Sequence, residues 1–479
     1  MDANEFRRLG HALVDWIAGY RERVESLPVM STVRPGQIRA RFPSEPPRQG
    51  GRLAEAVASL DELVLPGITH WNHPSFFAYF PSNTSYASVL GDLASAGLGA
   101  QGMSWQTSPA ATEVEEVVLE WLRRMVGLPE SFTGAIHDSA STATLTALLC
   151  ARERASGHGQ NRAGLQGGEP ALTVYASDQA HSSVEKGALL AGFGKAHLRL
   201  LGTDDEHALR LDLLEAAVAE DRARGLRPCA LVATTGTTGT TALDPVEGMA
   251  RLAERHGMWL HVDAALAGTA MVLPECRWMW RGVERADSLV FNPHKWMGTG
   301  FDLSAYYLRD PQHLVRVMST NPSYLRTPQD AEVKNFRDWG IPLGRRFRAF
   351  KLWFQLADEG VEGLQARIRR DLDNARWLSE QVDASSGWER LAPVPLQTVT
   401  VRHVPPGEAD EARLAAHNLA IARRVNESGR AYLTPSVLKG KQVIRVSVGA
   451  ERTERRHVEE LWARLQEAAR EAGRAGGRG

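Results

Sequence analysis

Apolar residues at the start of the chain recur in steps of three and four. Phe6, Leu9, Leu13, Trp16, Ile17, Tyr20 and Val24 fall on one face of a helix, with Arg and Glu on the other. A lone amphipathic helix has no core of its own, so this face needs a cover: the rest of the protein, a second subunit or a membrane. Mixed charge on the polar face disfavours the membrane. The stretch from Pro28 to Gly51 is rich in Pro, Arg and Gly and predicts an extended connection.

From Ser108 to Leu308 the pattern becomes short β-branched runs alternating with helical stretches. Ser108-Pro109 opens a helix with a capping hydroxyl and a first-turn proline, and Glu113, Glu115 and Glu116 are assigned to its positive end. Thr173–Ala176, Ala230–Thr234, Met258–Val262 and Ser288–Phe291 have strand length and composition. Helical patterns at Leu211–Arg224 and Val246–His256 separate several of them. Such alternation predicts a parallel sheet covered on both faces. Ser156–Pro170, with its glycines, predicts a surface loop. Beyond Arg345 come long helical stretches, a hairpin of Ala431–Val437 with Gln442–Val448 around Lys439-Gly440, a last helix from near Thr453, and a frayed Gly/Arg-rich tail.

Composition narrows the class. Lys+Arg is 56 and Asp+Glu is 57 in 479 residues, a net charge of −1, which leaves no basic footprint for nucleic acid and no polybasic membrane patch. Hydrophobic residues are 43% and charged residues 24%, the mix of a folded globular chain rather than a disordered one. No apolar run approaches the roughly 18 residues of a membrane span. The start, Met1-Asp-Ala-Asn-Glu-Phe6, is acidic where a signal peptide is basic. Cys150, Cys229 and Cys276 are far apart and lack CxxC spacing, so they read as small apolar fillers. A cytoplasmic enzyme without a metal is expected.

Three sites carry candidate chemistry. Asp263 ends an apolar strand at the carboxyl end, where open α/β sheets bind ligands. Taken singly, it also fits an aspartate capping the next loop. Lys295 follows another strand-like run in Phe291-Asn-Pro-His-Lys-Trp296, an apolar setting in which desolvation and a neighbouring cation lower an amine's pKa toward imine formation. Ser139–Thr144 runs into the helical Leu145–Arg154, so its free amides can cradle a phosphate, although a plain N-cap explains the same residues. Thr234–Thr240 adds a second hydroxyl-rich turn and matches neither GxGxxG nor the P-loop. A phosphate cradle, an acid for a ring nitrogen and a lysine for an aldehyde together suit pyridoxal 5′-phosphate, whose ring acts as an electron sink.

With these residues in place the chain resembles the group II pyridoxal-phosphate decarboxylases, specifically the aromatic-L-amino-acid decarboxylases. The resemblance runs from Asn4-Glu-Phe-Arg-Arg-Leu-Gly10 to the last helix. It rests on His73-Pro-Ser-Phe-Phe-Ala-Tyr-Phe-Pro81, Ser108-Pro-Ala-Ala-Thr-Glu113, Ser177-Asp-Gln-Ala-His-Ser-Ser-Val-Glu185, His261-Val-Asp-Ala-Ala265, Asn292-Pro-His-Lys-Trp296 and Ile341-Pro-Leu-Gly-Arg-Arg-Phe-Arg348.

The resemblance implies an aspartate-aminotransferase-like α/β fold (fold type I). Its expected parts are an N-terminal helical, dimerising segment (1–84), a large cofactor domain around a mostly parallel sheet (85–355) and a small α+β domain (356–479). It implies Lys295 as the Schiff-base lysine, Asp263 as the pyridinium partner, and Ala140, Ser141, Asn292 and His294 on the phosphate. Thr237 and Ala265 line the ring, and His181 lies against it; from sequence alone His181 would read as a loop histidine. Trp71, Tyr79, Phe80, Pro81 and Ser82 match the segment around the substrate side chain, where a core aromatic cluster is the plain reading. Met103 stands where many relatives carry a Phe from the second subunit. Gly344 stands where histidine decarboxylases often carry Ser and leaves room for larger rings. A homodimer with shared active sites is implied.

Tyr324 lies in the polar, aperiodic stretch Met318–Asp338, which reads as a lid. In the family this Tyr returns a proton to Cα, and relatives with Phe there release an aldehyde. The expected reaction is decarboxylation of an aromatic L-amino acid to its amine, with an aromatic acetaldehyde synthase or a histidine decarboxylase as alternatives. A glutamate decarboxylase would need a cation where this chain has an aromatic wall, and an aminotransferase would keep the carboxylate. A catalytically silent binding module does not explain Lys295, Asp263 and His181 together.

Overall fold

The apolar runs of the middle of the chain form one seven-stranded sheet in the order β1-β7-β6-β5-β4-β2-β3. Its strands are β1 Thr133–His137, β2 Leu172–Ser177, β3 Leu198–Leu201, β4 Arg227–Thr234, β5 Trp259–Asp263, β6 Ser288–Phe291 and β7 Ser304–Leu308. The structure, a computed structural model, describes residues 1–166, 170–320, 322–325, 327–330 and 332–476. β3, β2, β4, β5 and β6 run parallel, whereas β7 is antiparallel to both β6 and β1. Two reversals in succession return β1 to the direction of β6. The carboxyl ends of β1, β2, β4, β5 and β6 therefore share one edge.

This is the expected fold-type-I α/β architecture. β4 and β5 are buried almost throughout, as strands between two helical layers must be. Helix Ala140–Ala155 shows why: Ala143, Ala147, Leu148, Cys150 and Ala151 bury several of its sides against the sheet and helix Ser182–Leu190.

The chain divides into two compact units. The larger comprises Ser82–Ser379 with Arg390–Thr400 and holds the seven-stranded sheet. The other comprises Met1–Pro81, Glu380–Glu389 and the chain from Val401 onward. The expected boundary at 84/85 lies close to the break at Pro81/Ser82. The one at 355/356 falls inside helix Ala349–Asp383, which changes direction at Gly360, where φ is +65°.

In the second unit, Asp2 caps helix Ala3–Arg23 by accepting from the amides of Asn4 and Glu5. Leu9 is buried, yet Phe6 and Leu13 of the same stripe remain exposed, as does Val14 beside it. The hairpin pairs β10 Thr434–Leu438 with β11 Lys441–Ser447, and Lys439 and Gly440 take the positive φ of +46° and +79° that a two-residue turn requires. With β8 Trp388–Arg390 and β9 Thr398–His403 it gives a sheet ordered β10-β11-β9-β8. Helix Glu411–Glu427 packs on β11 and on helix Arg455–Gly476. The N-terminal connection is tied in by Val29 N–H to Gly429 O, Phe77 N–H to Tyr432 O and Ser447 N–H to Phe77 O.

Three local expectations change. Glu113, Glu115 and Glu116 do not serve the helix end: Glu113 accepts from the Trp105 indole, Glu115 is buried beneath Arg345, and Glu116 pairs with Lys334. Each follows the first turn of helix Pro109–Met125 and finds a tertiary partner instead. Ser156–Pro170 contains a short helix, Gly159–Ala163, and a turn, Gly164–Gln166; its residues 167–169 lie outside the described residues. Met318–Asp338 includes turns at Ser323–Leu325 and Phe336–Asp338, and Phe336 is fully buried. Among the described residues, no helix is long and apolar enough to cross a membrane.

Candidate active site

The shared carboxyl edge collects the candidate cofactor residues of the larger unit. Asp263 is the last residue of β5, and its Oδ1 accepts from the Ala265 amide at 3.0 Å. β6 leads through Asn292 into the turn Pro293–Met297, where Lys295 departs from helical backbone (φ −98°, ψ −109°) and stands half-buried. β2 leads to His181, which caps helix Ser182–Leu190: Nδ1 accepts from the Ser183 amide at 3.2 Å. Burial holds the His181 imidazole below its ordinary range; the Asp263 charge opposes this and the Lys295 charge adds to it. The charges of Asp263 and Lys295, from two strand ends, thus both act on His181 at a third.

Around them the backbone is pinned. The Asn292 amide donates to Ala265 O at 2.9 Å, and its side-chain Oδ1 accepts from Ser304 Oγ at 2.8 Å. His294 is buried, its Nδ1 accepts from the Leu303 amide at 2.9 Å, and its ring lies against Phe301. Burial and then the Lys295 charge push His294 down to about 3, so the ring is neutral at physiological pH and donates through Nε2. Ser82 Oγ donates to His294 O. Thr237 is fully buried, its Oγ1 accepting from the Ala242 amide at 3.1 Å, and Ala265 is half-buried after Asp263.

β1 ends at the N-terminus of helix Ala140–Ala155. Ser139 accepts from the Thr142 amide and its carbonyl takes that of Ala143. The amides of Ala140 and Ser141 are left outside the helical ladder, an arrangement that attracts an anion. The donor set fits a phosphate-bearing pyridine aldehyde: first-turn amides and a neutral His294 for the phosphate, a buried carboxylate for the ring nitrogen, and a primary amine for the aldehyde.

The substrate candidates fall in both units. Trp71, Tyr79, Phe80 and Pro81 belong to the second, where Trp71 lies tilted against Phe76 at 4.5 Å and stacks on Tyr79 at 5.7 Å, and the Arg445 guanidinium covers the Phe80 ring at 4.5 Å. The cluster is half core: Phe76, Phe77 and Phe80 are buried, while Trp71 and Tyr79 are exposed. Ser82, Met103 and Gly344 lie in the larger unit. Met103 O accepts from the Arg337 amide, and Gly344 lies beside the Gln101 amide group. Of Tyr324 the structure describes only the backbone, within the turn Ser323–Leu325; its side chain lies outside the described part.

Sequence reasoning missed several supports. His261 shares a face of β5 with Asp263 and is buried between Thr144 Oγ1 and Ser288 Oγ, at 3.3 and 2.9 Å. Asp244, pushed up to about 6 by burial, accepts from the amides of Thr234 and Leu209 and so fixes the turn before Thr237. For His261 the period-two position beside Asp263 was the available signal. Asp244 had none.

Comparison with known proteins agrees with this geometry. The "Pyridoxal-dependent decarboxylase conserved domain" family matches residues 35–403. The chain is 40% identical to phenylacetaldehyde synthase of Arabidopsis thaliana over 480 residues, 98% of this chain and 96% of the relative. It is also 40% identical to tryptophan decarboxylase 2 of Oryza sativa subsp. japonica, over 98% of this chain and 95% of the relative. The crystal structure of Oryza sativa TDC with PLP and tryptamine superposes with a TM-score of 0.94 at 36% identity, covering 98% and 99% of the two chains.

Proposed function

The chain belongs to the family of pyridoxal-dependent decarboxylases, and from that premise we propose a division of labour among its residues. It is a carboxy-lyase with pyridoxal phosphate as cofactor, and it acts on an aromatic amino acid. When bound, the cofactor supplies an electron sink for the pair left on Cα by departing carbon dioxide.

The protein's own residues do the rest. Lys295 holds the cofactor aldehyde through its amine, and Asp263 keeps a proton on the ring nitrogen by a charge-assisted hydrogen bond. The amides of Ala140 and Ser141, with Asn292 and the neutral His294, bind the phosphate. Thr237 and Ala265 line the ring, and His181 adds a neutral surface held by Ser183. In the larger unit Ser82, Met103 and Gly344 are assigned to the aromatic side chain, and Gly344 admits catechol and indole rings; in the other unit Trp71, Tyr79, Phe80 and Pro81 are assigned to the same side chain. Tyr324 returns a proton to Cα, which a phenol can do and a phenyl ring cannot. The placement of Asp263, Lys295 and His181 at the carboxyl ends of β5, β6 and β2, beside an open helix N-terminus, carries this reading.

The working form is a cytoplasmic homodimer with shared sites. Support for the dimer comes from apolar side chains left exposed on one chain: Phe6, Leu13 and Val14 on the first helix, and Tyr86, Leu90 and Leu93 on helix Tyr86–Leu98. Sedimentation at twice the mass of one chain checks it. Three free, buried cysteines suit a reducing compartment, and fractionation of the source cells checks that location.

A second reading, aldehyde formation, is favoured by the relative named phenylacetaldehyde synthase. The test offers the purified enzyme tryptophan, tyrosine, phenylalanine, dihydroxyphenylalanine and 5-hydroxytryptophan. Amine and carbon dioxide without oxygen uptake are expected, and Lys295→Ala abolishes both products. Stoichiometric oxygen uptake by the wild type, with aldehyde and peroxide, would instead select the second reading.

A further inference from the structure

Glu115 and Arg345 form a buried ion pair, with side chains 3% and 9% exposed, far from each other in sequence. Arg345 Nη2 donates to Glu115 Oε1 at 2.7 Å and Nη1 to Oε2 at 3.1 Å, a two-pronged fit. The pair is not self-contained. Glu115 Oε1 also accepts from the Ile136 amide of β1 at 2.8 Å, and Arg345 Nη2 donates to Ile136 O at 2.7 Å. On the other side Arg345 Nη1 reaches Gly102 O at 3.3 Å, and the Arg345 backbone exchanges bonds with Gly102 N–H and Gln101 Oε1. The guanidinium also lies over the Phe336 ring at 4.6 Å.

One ion pair therefore joins three pieces. The first is the end of β1, whose continuation is Ser139 and the phosphate cradle. The second is the segment Gln101–Met103. The third is the stretch from Phe336 to Gly344. A cavity of about 150 Å³ lies between the first and third pieces, lined on one side by Asp138 and Thr142 and on the other by Phe336, Gly344 and Arg345. The Arg345 side chain reaches all three pieces at once, by hydrogen bonds to Ile136 O and Gly102 O and by its face over the Phe336 ring, and a lysine could not, because its compact ammonium lacks the planar fork.

We propose that Glu115 and Arg345 are positioning residues that set the register of the substrate-side segments, Gln101–Met103 and Gly344, against the cofactor cradle. The inference rests on the assignment of Met103 and Gly344 to the substrate side. The pair lies outside the residues assigned to cofactor and substrate. Its effect is to keep the aromatic side chain's walls at a fixed offset from the phosphate site.

The test compares holoenzyme of the wild type, Arg345→Lys and Glu115→Gln with a control, Arg199→Lys. The control weakens an unrelated pair in the same unit, Arg199 with the buried Asp221. Measured are KM and kcat for tyrosine and tryptophan, affinity for tyramine and tryptamine by calorimetry, cofactor affinity and melting temperature. Register loss raises KM and weakens amine binding about tenfold or more, leaves kcat and cofactor affinity within about threefold, and is absent from the control at a matched loss of melting temperature. Should Arg345→Lys fail to fold, Glu115→Gln, which keeps the shape, gives the reading. Unchanged KM and amine affinity in a folded variant, or an equal rise in the control, would overturn the proposal. A wild type that binds amine but releases no carbon dioxide would refute the decarboxylase reading alone, since a tenfold loss of amine binding in the variants still supports the pair.

Discussion

At the carboxyl edge of the seven-stranded sheet, Asp263, Asn292 and His294 are 3–4% exposed, and each is tied to a backbone amide or a buried hydroxyl. In the segment Trp71–Pro81 of the other unit, Trp71 and Tyr79 are 38% and 49% exposed and touch mainly other rings. The edge fixes polar atoms where a small displacement weakens a charge interaction in a low-dielectric site. The aromatic segment offers surface, and ring contacts tolerate offsets that hydrogen bonds do not. Damage at the edge should therefore fall on kcat, and damage at the aromatic segment on KM.

The sharpest break of this contrast is Asp263→Asn. Loss of the carboxylate beside the ring nitrogen should lower kcat about 100-fold or more while KM moves little. A variant losing affinity for substrate instead, with kcat intact, would place Asp263 on the wrong side of the comparison. Next comes Tyr324→Phe, where turnover continues but product shifts from amine toward aldehyde with peroxide; amine alone from this variant would remove Tyr324 from the proton return. Smaller again is Tyr79→Ala, which should raise KM roughly tenfold and leave kcat within about threefold, in keeping with one lost ring contact. Steady-state kinetics on the same substrate set reads all three.

The smallest effect is on stability and spans both regions. Burial holds His137 and His261 of the larger unit, and His403 of the other, down to about 4. An unfolded imidazole takes up its proton near pH 6.5, whereas these stay neutral until about pH 4. Between those values the unfolded state binds more protons, so stability is present above pH 6.5 and is lost as pH falls. The cost is on the order of 1 kcal/mol per pH unit for each fully buried imidazole. Melting temperatures at pH 7, 6 and 5 check the sign; a flat profile would mean that the imidazoles are not held neutral.

The same contrast explains what could be read from the chain beforehand. β2, β4, β5 and β6 announce themselves as apolar runs between helical periods, and the residues just past their ends are where an α/β sheet places its chemistry. Asp263 and Lys295 are legible for that reason, and the Ser139 cradle because small hydroxyl residues run directly into a helical pattern. β1, β3 and β7 carry no such signal, since Gly134 interrupts β1, β3 is a four-residue edge, and β7 carries two tyrosines among small residues. His181 and the aromatic segment needed the family resemblance because their local sequence fits a loop histidine and a core cluster equally well. Glu115 was misassigned for a physical reason: a glutamate near a helix start already has a local explanation, and its real partner is supplied by a distant loop. Tertiary bonds of that kind leave no periodic trace.

The central claim is that the cofactor is held at the carboxyl edge of the larger unit through the amine of Lys295. Borohydride reduction of the holoenzyme, followed by peptide mapping, tests it most directly. The account predicts a pyridoxyl label on the peptide carrying Lys295 and its disappearance in Lys295→Ala. A label on Lys186, Lys351 or any other lysine, with Lys295 unmodified in active enzyme, would contradict it.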